Sequence, residues 1–344
     1  MSNLQIGLAV AGGVVLAAVV IHGAWSSRKN TPRQAEPEGL LDGPDTVPQP
    51  ARDDDFAAAR FSLPAVPKRP MLDSLIDVIA TISLDAATPI VSGEAALAAL
   101  PATRRAGSKP FAIEGYNLAS QTWESPQAGQ RYGGFQCGVQ LANRTGPLNE
   151  IEYSEFVVKT QGYADAVNGT PEFPEMLDEV ARARELDQFA SAHDAQLGFC
   201  IRARNASWSP GYVQQTAARL GFVAGVLPGR LVLPASVEGL PPVLVLSFDA
   251  QAALAEDPDQ SAIRELSLHL DVAQVDRAER AFVRMREAAA SLAHTMDGVV
   301  TDDNGQPLVA DTLDMIGGEL DGLYDTLDHR DLSAGSVLAR RLFS

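Results

Sequence analysis

The first 25 residues constrain this chain more than any other part of the sequence. An apolar run, Leu4–Trp25, contains no charged side chain, and His22 is its only ionisable group. About 20 mostly apolar residues suffice to cross the hydrocarbon core of a bilayer as one helix. We therefore predict a membrane anchor over residues 1–27, in which Trp25 lies at the interface. Further residues of this predicted anchor are Leu4, Leu16 and Val20.

Positive charge is found on one side of this run only. Met1-Ser2-Asn3 precedes it, and Arg28, Lys29 and Arg33 follow it. The positive-inside rule then places the amino terminus outside and the remaining chain in the cytoplasm. A cleaved signal peptide is the alternative, but such a segment begins with basic residues and ends in a small-x-small site. Neither feature is present here, so an uncleaved anchor is favoured.

Composition excludes several classes of protein. The formal net charge is −17, whereas nucleic-acid affinity comes largely from Lys and Arg that neutralise phosphates. Nucleic acid is therefore not an expected partner. The two cysteines, Cys137 and Cys200, lie in strand-like apolar stretches. We expect both to be buried and reduced rather than paired in a disulfide.

Residues 28–70 are rich in proline and contain the acidic run Asp53-Asp54-Asp55. Proline interrupts helices, and charge without apolar periodicity cannot build a core. This range is predicted to be a tether, which would reach about 130 Å if extended as polyproline II.

The remaining chain shows one order of short strands and amphipathic helices twice, over residues 71–194 and 195–331, followed by a tail, 332–344. Strand Leu75–Leu84 corresponds to Leu197–Ala203, and helix Glu150–Val167 corresponds to Asp276–Met296. The predicted class is α+β, with two tandem units that each have an antiparallel sheet backed by helices. The first unit is expected to have lost most of the strand that the second keeps at Gly298–Thr301. Chance similarity between two α+β stretches is the alternative.

Two stretches of sequence carry a family resemblance. The segment Val20–Lys29, with His22-Gly23-Ala24-Trp25-Ser26-Ser27-Arg28-Lys29, resembles the amino terminus of the bacterial division protein family ZipA. The segment Met296-Asp297-Gly298-Val299-Val300-Thr301-Asp302-Asp303 resembles a helix-to-strand passage of the ZipA C-terminal domain. The resemblance covers the anchor and roughly Gln196–His329. The linker is short for the family, and residues 71–194 look like an extra, degenerate copy of the domain.

The resemblance implies a six-stranded antiparallel sheet backed by three helices. Its uncovered face would bind the C-terminal peptide of FtsZ, the tubulin-like GTPase of the division ring. By position in the family motif, Phe248 and Ala250 fall in this groove, and His269 replaces a large apolar residue. Phe248 is the expected anchor, with core packing as its alternative. Val232 and Cys200 complete the predicted set, although for Val232 core packing is favoured.

Strand alternation gives a separate prediction for Glu265–Val272. Because Leu266, Leu268 and Leu270 share one side of the strand, that side is predicted to face the core. The intervening residues, Ser267, His269 and Asp271, are then predicted to face the groove.

Enzymatic interpretations find little support. No two of the five histidines have the spacing of metal ligands. Gly221–Gly225 follows a predicted helix rather than a strand, so we interpret it as a turn and not as a phosphate loop. Neither a metal nor a cofactor is expected.

The sequence therefore predicts a non-enzymatic division adaptor in the bacterial inner membrane. It would cross the membrane once, with its amino terminus periplasmic and its body cytoplasmic at the division site, and would tether FtsZ polymers. The alternative from another class is a structural scaffold that binds other division or envelope proteins. A membrane-anchored enzyme is a weaker alternative.

Overall fold

A computed structural model describes residues 32–34, 72–255, 257 and 260–344. They divide into two units. The first unit combines residues 72–194 with residues 337–344, and the second combines residues 195–336 with residues 32–34. The predicted anchor, and with it Leu4, Leu16, Val20, Trp25, Arg28 and Lys29, lies outside the described residues. Within the described ranges, no helix has the length and apolar character that a membrane span needs.

An antiparallel sheet forms the centre of the first unit. Its strands are β1 (Asp77–Leu84), β2 (Val91–Ser92), β3 (Arg105–Ala106), β4 (Lys109–Asn117), β5 (Thr122–Glu124), β6 (Arg131–Gln140) and β9 (Gly169–Glu172). The order is β3-β4-β6-β1-β9, with β2 beside β6 and β5 beside β4. A separate hairpin follows β6 and consists of β7 (Ala142–Asn143) and β8 (Gly146–Pro147).

One face of this sheet carries the core of the first unit. The helices of the unit are α1 (Gly93–Ala98), α2 (Glu150–Ala166), α3 (Met176–His193) and α8 (Val337–Leu342). Helix α2 begins at a capping box, in which Asn149 and Glu152 satisfy each other's backbone amides. Its Tyr163 ring packs edge-on against Phe135 of β6, with the ring centres 5.3 Å apart. The β6 side chains on that face are therefore buried under α2.

The second unit is built on another antiparallel sheet. In order along the chain its strands are β10 (Gln196–Ala203), β11 (Val223–Ala224), β12 (Arg230–Leu233), β13 (Leu244–Ser247), β14 (Glu265–Asp271) and β15 (Gly298–Thr301). They are arranged as β11-β12-β13-β14-β10-β15. The helices are α4 (Pro210–Ala218), α5 (Ala250–Ala253), α6 (Ala281–Met296) and α7 (Ala310–Asp328).

Helix α6 covers one face of the second sheet. Its buried residues recur at helical spacing, as an amphipathic helix requires, and Phe282 packs against Phe199 of β10 with ring centres 6.3 Å apart. Leu266, Leu268 and Leu270 of β14 are buried on that same face. The predicted phase of this strand is therefore confirmed. The core of the second unit lies between its sheet and helices α4 and α6, and α7 packs beside Phe282 of α6.

The two units share their strand order. The series β4-β6-β1-β9 in the first unit corresponds to β13-β14-β10-β15 in the second, and every pairing in both series is antiparallel. In both units a long helix ends in a left-handed residue, Asn168 with φ 54° or Asp297 with φ 56°. A glycine follows each of them and begins the edge strand. In both units the chain thus turns back to the sheet through a left-handed residue followed by a glycine.

These edge strands need the glycine for a common reason. A Cβ on Gly169 would lie 2.5 Å from Cγ2 of Ile82, and a Cβ on Gly298 would lie 2.9 Å from Cγ2 of Ile201. Such distances are shorter than real Cβ contacts, so only glycine fits beside the isoleucine of the neighbouring strand. The expectation that the first unit lost this strand is wrong, because β9 has the same four residues in length as β15.

Two further findings differ from the sequence-based expectations. Part of the predicted tail, 332–344, is α8, which belongs to the first unit. Part of the predicted tether also contacts folded structure, because the amide of Arg33 donates to the carbonyl of Ser207 and the amide of Ser209 donates to the carbonyl of Arg33 (2.8 and 2.9 Å). The range 28–70 is therefore not a free linker at Arg33, where it meets the second unit.

Candidate functional site

We call the sheet face that lies away from α6 the distal face of the second unit. Side chains of successive residues in a strand alternate between the two faces, so the distal face is lined by every second residue. Cross-strand pairing aligns these residues into a row. The row runs over five strands as Val223, Val232, Val245, His269 and Gly198.

One half of the distal face is apolar. Val232 and Val245 are half-buried neighbours on β12 and β13, while Val223 on the edge strand is 50% exposed. Surrounding loops add further exposed apolar side chains, of which Val226 is fully exposed and Leu240 is 37% exposed. Apolar side chains that adjoin in this way, rather than being scattered singly, indicate an interaction surface.

The other half is polar and acidic. A groove of about 630 Å³ runs along it, lined among others by Gln196, Gly198, Val245, His269, Asp271 and Asp303. Next to the groove, Arg202 pairs with Glu265 at 2.9 Å on adjacent strands. Asp271 and Asp303 lie on the β10 and β14 side of the groove, and Arg230 lies on the β12 side. The surface is suited to a ligand that has both apolar and basic side chains.

Gly198 creates the room in this groove. It lies directly opposite His269, and a Cβ built on it would be 3.4 Å from Oδ1 of Asp303 and 3.6 Å from Nδ1 of His269. These are ordinary or nearly ordinary contacts. The backbone at Gly198 is therefore compatible with a side chain, and the absence of one leaves the floor of the groove open.

Comparison with known protein families finds a match in the second unit. Residues 252–317 match the sequence model of the ZipA C-terminal FtsZ-binding domain. This segment of the chain is similar to that domain. The match contains β14, α6 and β15, and so includes Ser267, His269 and Asp271 of the distal face. The domain of that family is an FtsZ-binding domain. No curated protein matches the chain.

The residues predicted for the groove occupy different positions. His269 is exposed on the distal face, and Val232 is half-buried there, between the buried Leu231 and Leu233. Core packing, which the sequence favoured for Val232, is therefore wrong. Ala250 is exposed at the first turn of α5.

Phe248 follows the last residue of β13 and is half-buried. Within β13, Leu244 and Leu246 are buried on the core side, whereas Val245 and Ser247 alternate with them. Continued alternation would give Phe248 the phase of the core leucines. Its contact with a ligand remains a prediction.

Cys200 lies on the distal face of β10, opposite Ser267, with 6% of its surface exposed. Burial raises the pKa of its thiol, and the nearby carboxylates of Glu265 and Asp303 add to this effect. Its Sγ is 3.8 Å from Oδ1 of Asp303. Cys200 does not line the groove itself, and the raised pKa of its thiol makes it a poor nucleophile.

Sequence reasoning missed Val245, Gly198 and Asp303 as groove residues. Val245 belongs to a stretch that is apolar on both sides, so periodicity gives it no face. The signal that could have identified it is the phase of β14, since pairing of Val245 with His269 fixes the distal side of β13. Among the described residues, no group of three or more His, Cys, Asp or Glu side chains is placed to hold a metal ion.

Proposed function

We propose that this chain is a membrane-anchored division adaptor that tethers FtsZ to the cytoplasmic side of the inner membrane. Binding occurs on the distal face of the second unit, which receives a C-terminal peptide of FtsZ. The observation that carries the proposal is the row from Val232 to His269, where an apolar half and an acidic half of one sheet face meet. Part of this row belongs to the segment that matches the FtsZ-binding family.

Peptide recognition on such a surface follows from its chemistry. An amphipathic helical peptide places apolar side chains at i, i+3 and i+4 on one side. These side chains would pack on Val232 and Val245, while basic side chains would reach Asp271 and Asp303. Burial of apolar side chains supplies most of the affinity, and the charges fix the direction in which the peptide lies.

The anchor in this proposal is the apolar run Leu4–Trp25, and its position in the sequence limits the reach of the second unit. Arg33, eight residues after Trp25, pairs with the backbone around Trp208. Eight extended residues span at most about 28 Å. The second unit is therefore kept close to the membrane, and FtsZ bound to it is kept there as well.

A titration of the chain with an FtsZ C-terminal peptide tests the binding site. Removal of an anchor side chain from an interface typically costs at least about 2 kcal/mol, so Val245→Asp is expected to weaken binding by roughly thirtyfold or more. The matched control is Val283→Asp, the same change at an exposed position of α6 on the opposite side of the unit. This control is expected to bind normally.

Phe248→Ala belongs in the same titration. Weaker binding with an unchanged melting temperature would place the ring in the groove, whereas lower stability would place it in the core. Absence of binding by the unmodified chain would refute the FtsZ assignment and favour a scaffold for other division or envelope proteins.

The orientation of the chain in the membrane can be tested separately. A reporter fused after Ser344 is expected to behave as a cytoplasmic protein, because Arg28, Lys29 and Arg33 follow the apolar run. Cleavage of the body by protease in cells with a permeabilised outer membrane would contradict this orientation.

A further inference from the structure

The last eight residues of the sequence, 337–344, are held by the first unit. Residues 337–344 contain the short helix α8 and do not pair with a strand of the sheet. Side chains therefore provide much of their attachment to the first unit. The guanidinium of Arg341 donates to both carboxylate oxygens of Asp77, at 2.9 and 2.5 Å. The side-chain amide of Gln140 donates to the carbonyl of Arg341 at 2.7 Å, and the amide of Arg144 donates to the carbonyl of Ser344 at 3.2 Å.

These contacts are made on the distal face of the first unit, which is the sheet face away from α2. Asp77 and Gln140 are directly paired across β1 and β6. Their neighbours Val78 and Val139 are also paired and lie buried on the core side. Alternation therefore points Asp77 and Gln140 to the distal face, where Asp77 is only 1% exposed with Arg341 against it.

Apolar side chains complete the attachment. Ala339, Leu342 and Phe343 are all at most 1% exposed. The segment thus has the composition of an amphipathic peptide ligand, with apolar anchors and an arginine that pairs with a carboxylate.

The same place in the second unit is one end of its groove. By strand order and pairing, Asp77 corresponds to Gln196, and Gln140 corresponds to Asp271. Gln196 and Asp271 both line the groove. Each unit therefore presents one carboxylate and one amide at this end of its distal face, with their strands exchanged.

From these contacts we propose that the first unit is a second peptide-binding module, whose distal face is filled in cis by residues 337–344 at the end formed by Asp77 and Gln140. This site is independent of the proposed binding of FtsZ to the second unit. Its ligands are short helical peptides with apolar side chains and one arginine, which Asp77 recognises.

The covalent link to the second unit explains why residues 337–344 occupy the distal face of the first unit. Val337 follows Ser336 of the second unit directly, so the segment is present at an effective concentration on the order of millimolar. A free peptide at micromolar concentration cannot compete with this tethered segment for the same face. An outside ligand binds this face only when the segment is withdrawn or removed.

The test uses the full chain in detergent and a variant that ends at Ser336. The probe is a fluorescent synthetic peptide with the sequence of residues 337–344, followed by anisotropy. The shortened chain is expected to bind one peptide per chain, and the full chain at least about tenfold more weakly, because its own segment occupies the face. Circular dichroism and thermal unfolding report whether the shortened chain is folded.

Substitutions in the shortened chain locate the peptide. Asp77→Asn is expected to weaken binding at least about tenfold, since it removes the charged partner of Arg341. Asp271→Asn makes the same change on the equivalent end of the second unit and is expected to have no effect. If Asp271→Asn weakens binding and Asp77→Asn does not, the peptide binds the second unit and the proposal is wrong.

Two other results would also overturn the proposal. One is a folded shortened chain that binds no peptide. The other is a concentration-dependent dimer of the full chain that is lost on shortening, since the segment would then fill a neighbouring copy. If the shortened chain does not fold, Arg341→Ala in the full chain decides, because release of the segment lets the peptide bind, whereas continued exclusion contradicts the proposal.

Discussion

The sheets of the two units have the same strand order, but their distal faces differ. The chain covers the distal face of the first unit and leaves that of the second open. Gly198 lies opposite His269 in the second unit, and the corresponding pair in the first unit is Ile79 opposite Gly138. Each pair consists of one glycine and one large residue. The glycine lies on β6 in the first unit, but on β10, the counterpart of β1, in the second. In the first unit the space over the glycine is occupied by Leu72. One architecture therefore gives a sheet face that the chain closes itself and another that it leaves as a groove.

Polar side chains also cover the distal face of the first unit more than that of the second. On the first unit, Glu114 is 1% exposed and accepts hydrogen bonds from the Gln136 amide and from the backbone of Leu72. The corresponding residues on the second unit are Ser247 and Ser267, which are small and half-buried. A buried carboxylate needs such partners, so the first face is closed by polar as well as apolar contacts. The second face lacks bulky side chains at these positions.

The largest effect that tests this difference is on stability. Gly138→Val would place a side chain where Leu72 now packs. Displacement of Leu72, which is 6% exposed, is expected to cost up to about 3 kcal/mol of unfolding free energy. Denaturant unfolding measures this loss.

The matched variant is Gly198→Val, which puts the same side chain on the open face. Surface changes away from special sites stay within about 0.5 kcal/mol, and we expect this result here. Equal losses in the two variants would mean that the faces are equally covered and would break the comparison.

A smaller effect concerns binding. Gly198→Leu would extend a side chain over the groove beside His269 and thereby exclude a peptide. We expect FtsZ peptide binding to weaken by roughly thirtyfold, about 2 kcal/mol, while thermal unfolding is unchanged. Gly318→Leu on α7, where a Cβ meets open space, is the matched control and should bind normally. Normal binding by Gly198→Leu would place the ligand elsewhere.

Much of the fold could be predicted from sequence because its signals are local. Alternation in β14 separates Leu266, Leu268 and Leu270 from the distal residues, and the pairs Asn168-Gly169 and Asp297-Gly298 lie where two helices end. These patterns depend on the period of the strand and on a left-handed residue, which need no knowledge of distant contacts.

The rest depended on contacts between remote residues. Strand β9 has no clear sequence signal because Pro171 interrupts its pattern, although proline is tolerated on an edge strand. The role of Arg341 follows only from Asp77, 264 positions earlier. Gly198 has no signal in its own strand, since its importance comes from His269 across the sheet.

The smallest effect is on the two thiols, which lie on opposite kinds of face. Cys137 is fully buried on the core side of β6, and burial raises its pKa to about 12. Cys200 lies on the distal face of β10, and its pKa is raised as well. Since only the thiolate is alkylated, labelling of Cys200 by iodoacetamide is expected to be slow near pH 8 and to accelerate as pH rises.

Peptide binding should change only one of these rates. At a peptide concentration about ten times Kd, about a tenth of the sites remain free, so labelling of Cys200 is expected to slow about tenfold. Cys137 should stay unlabelled with or without peptide until the first unit unfolds, which makes it an internal control read in the same mass spectrum. Equal labelling of Cys200 in both conditions would show that a bound peptide does not cover β10. The ligand would then be confined to the apolar half of the face, around Val232 and Val245.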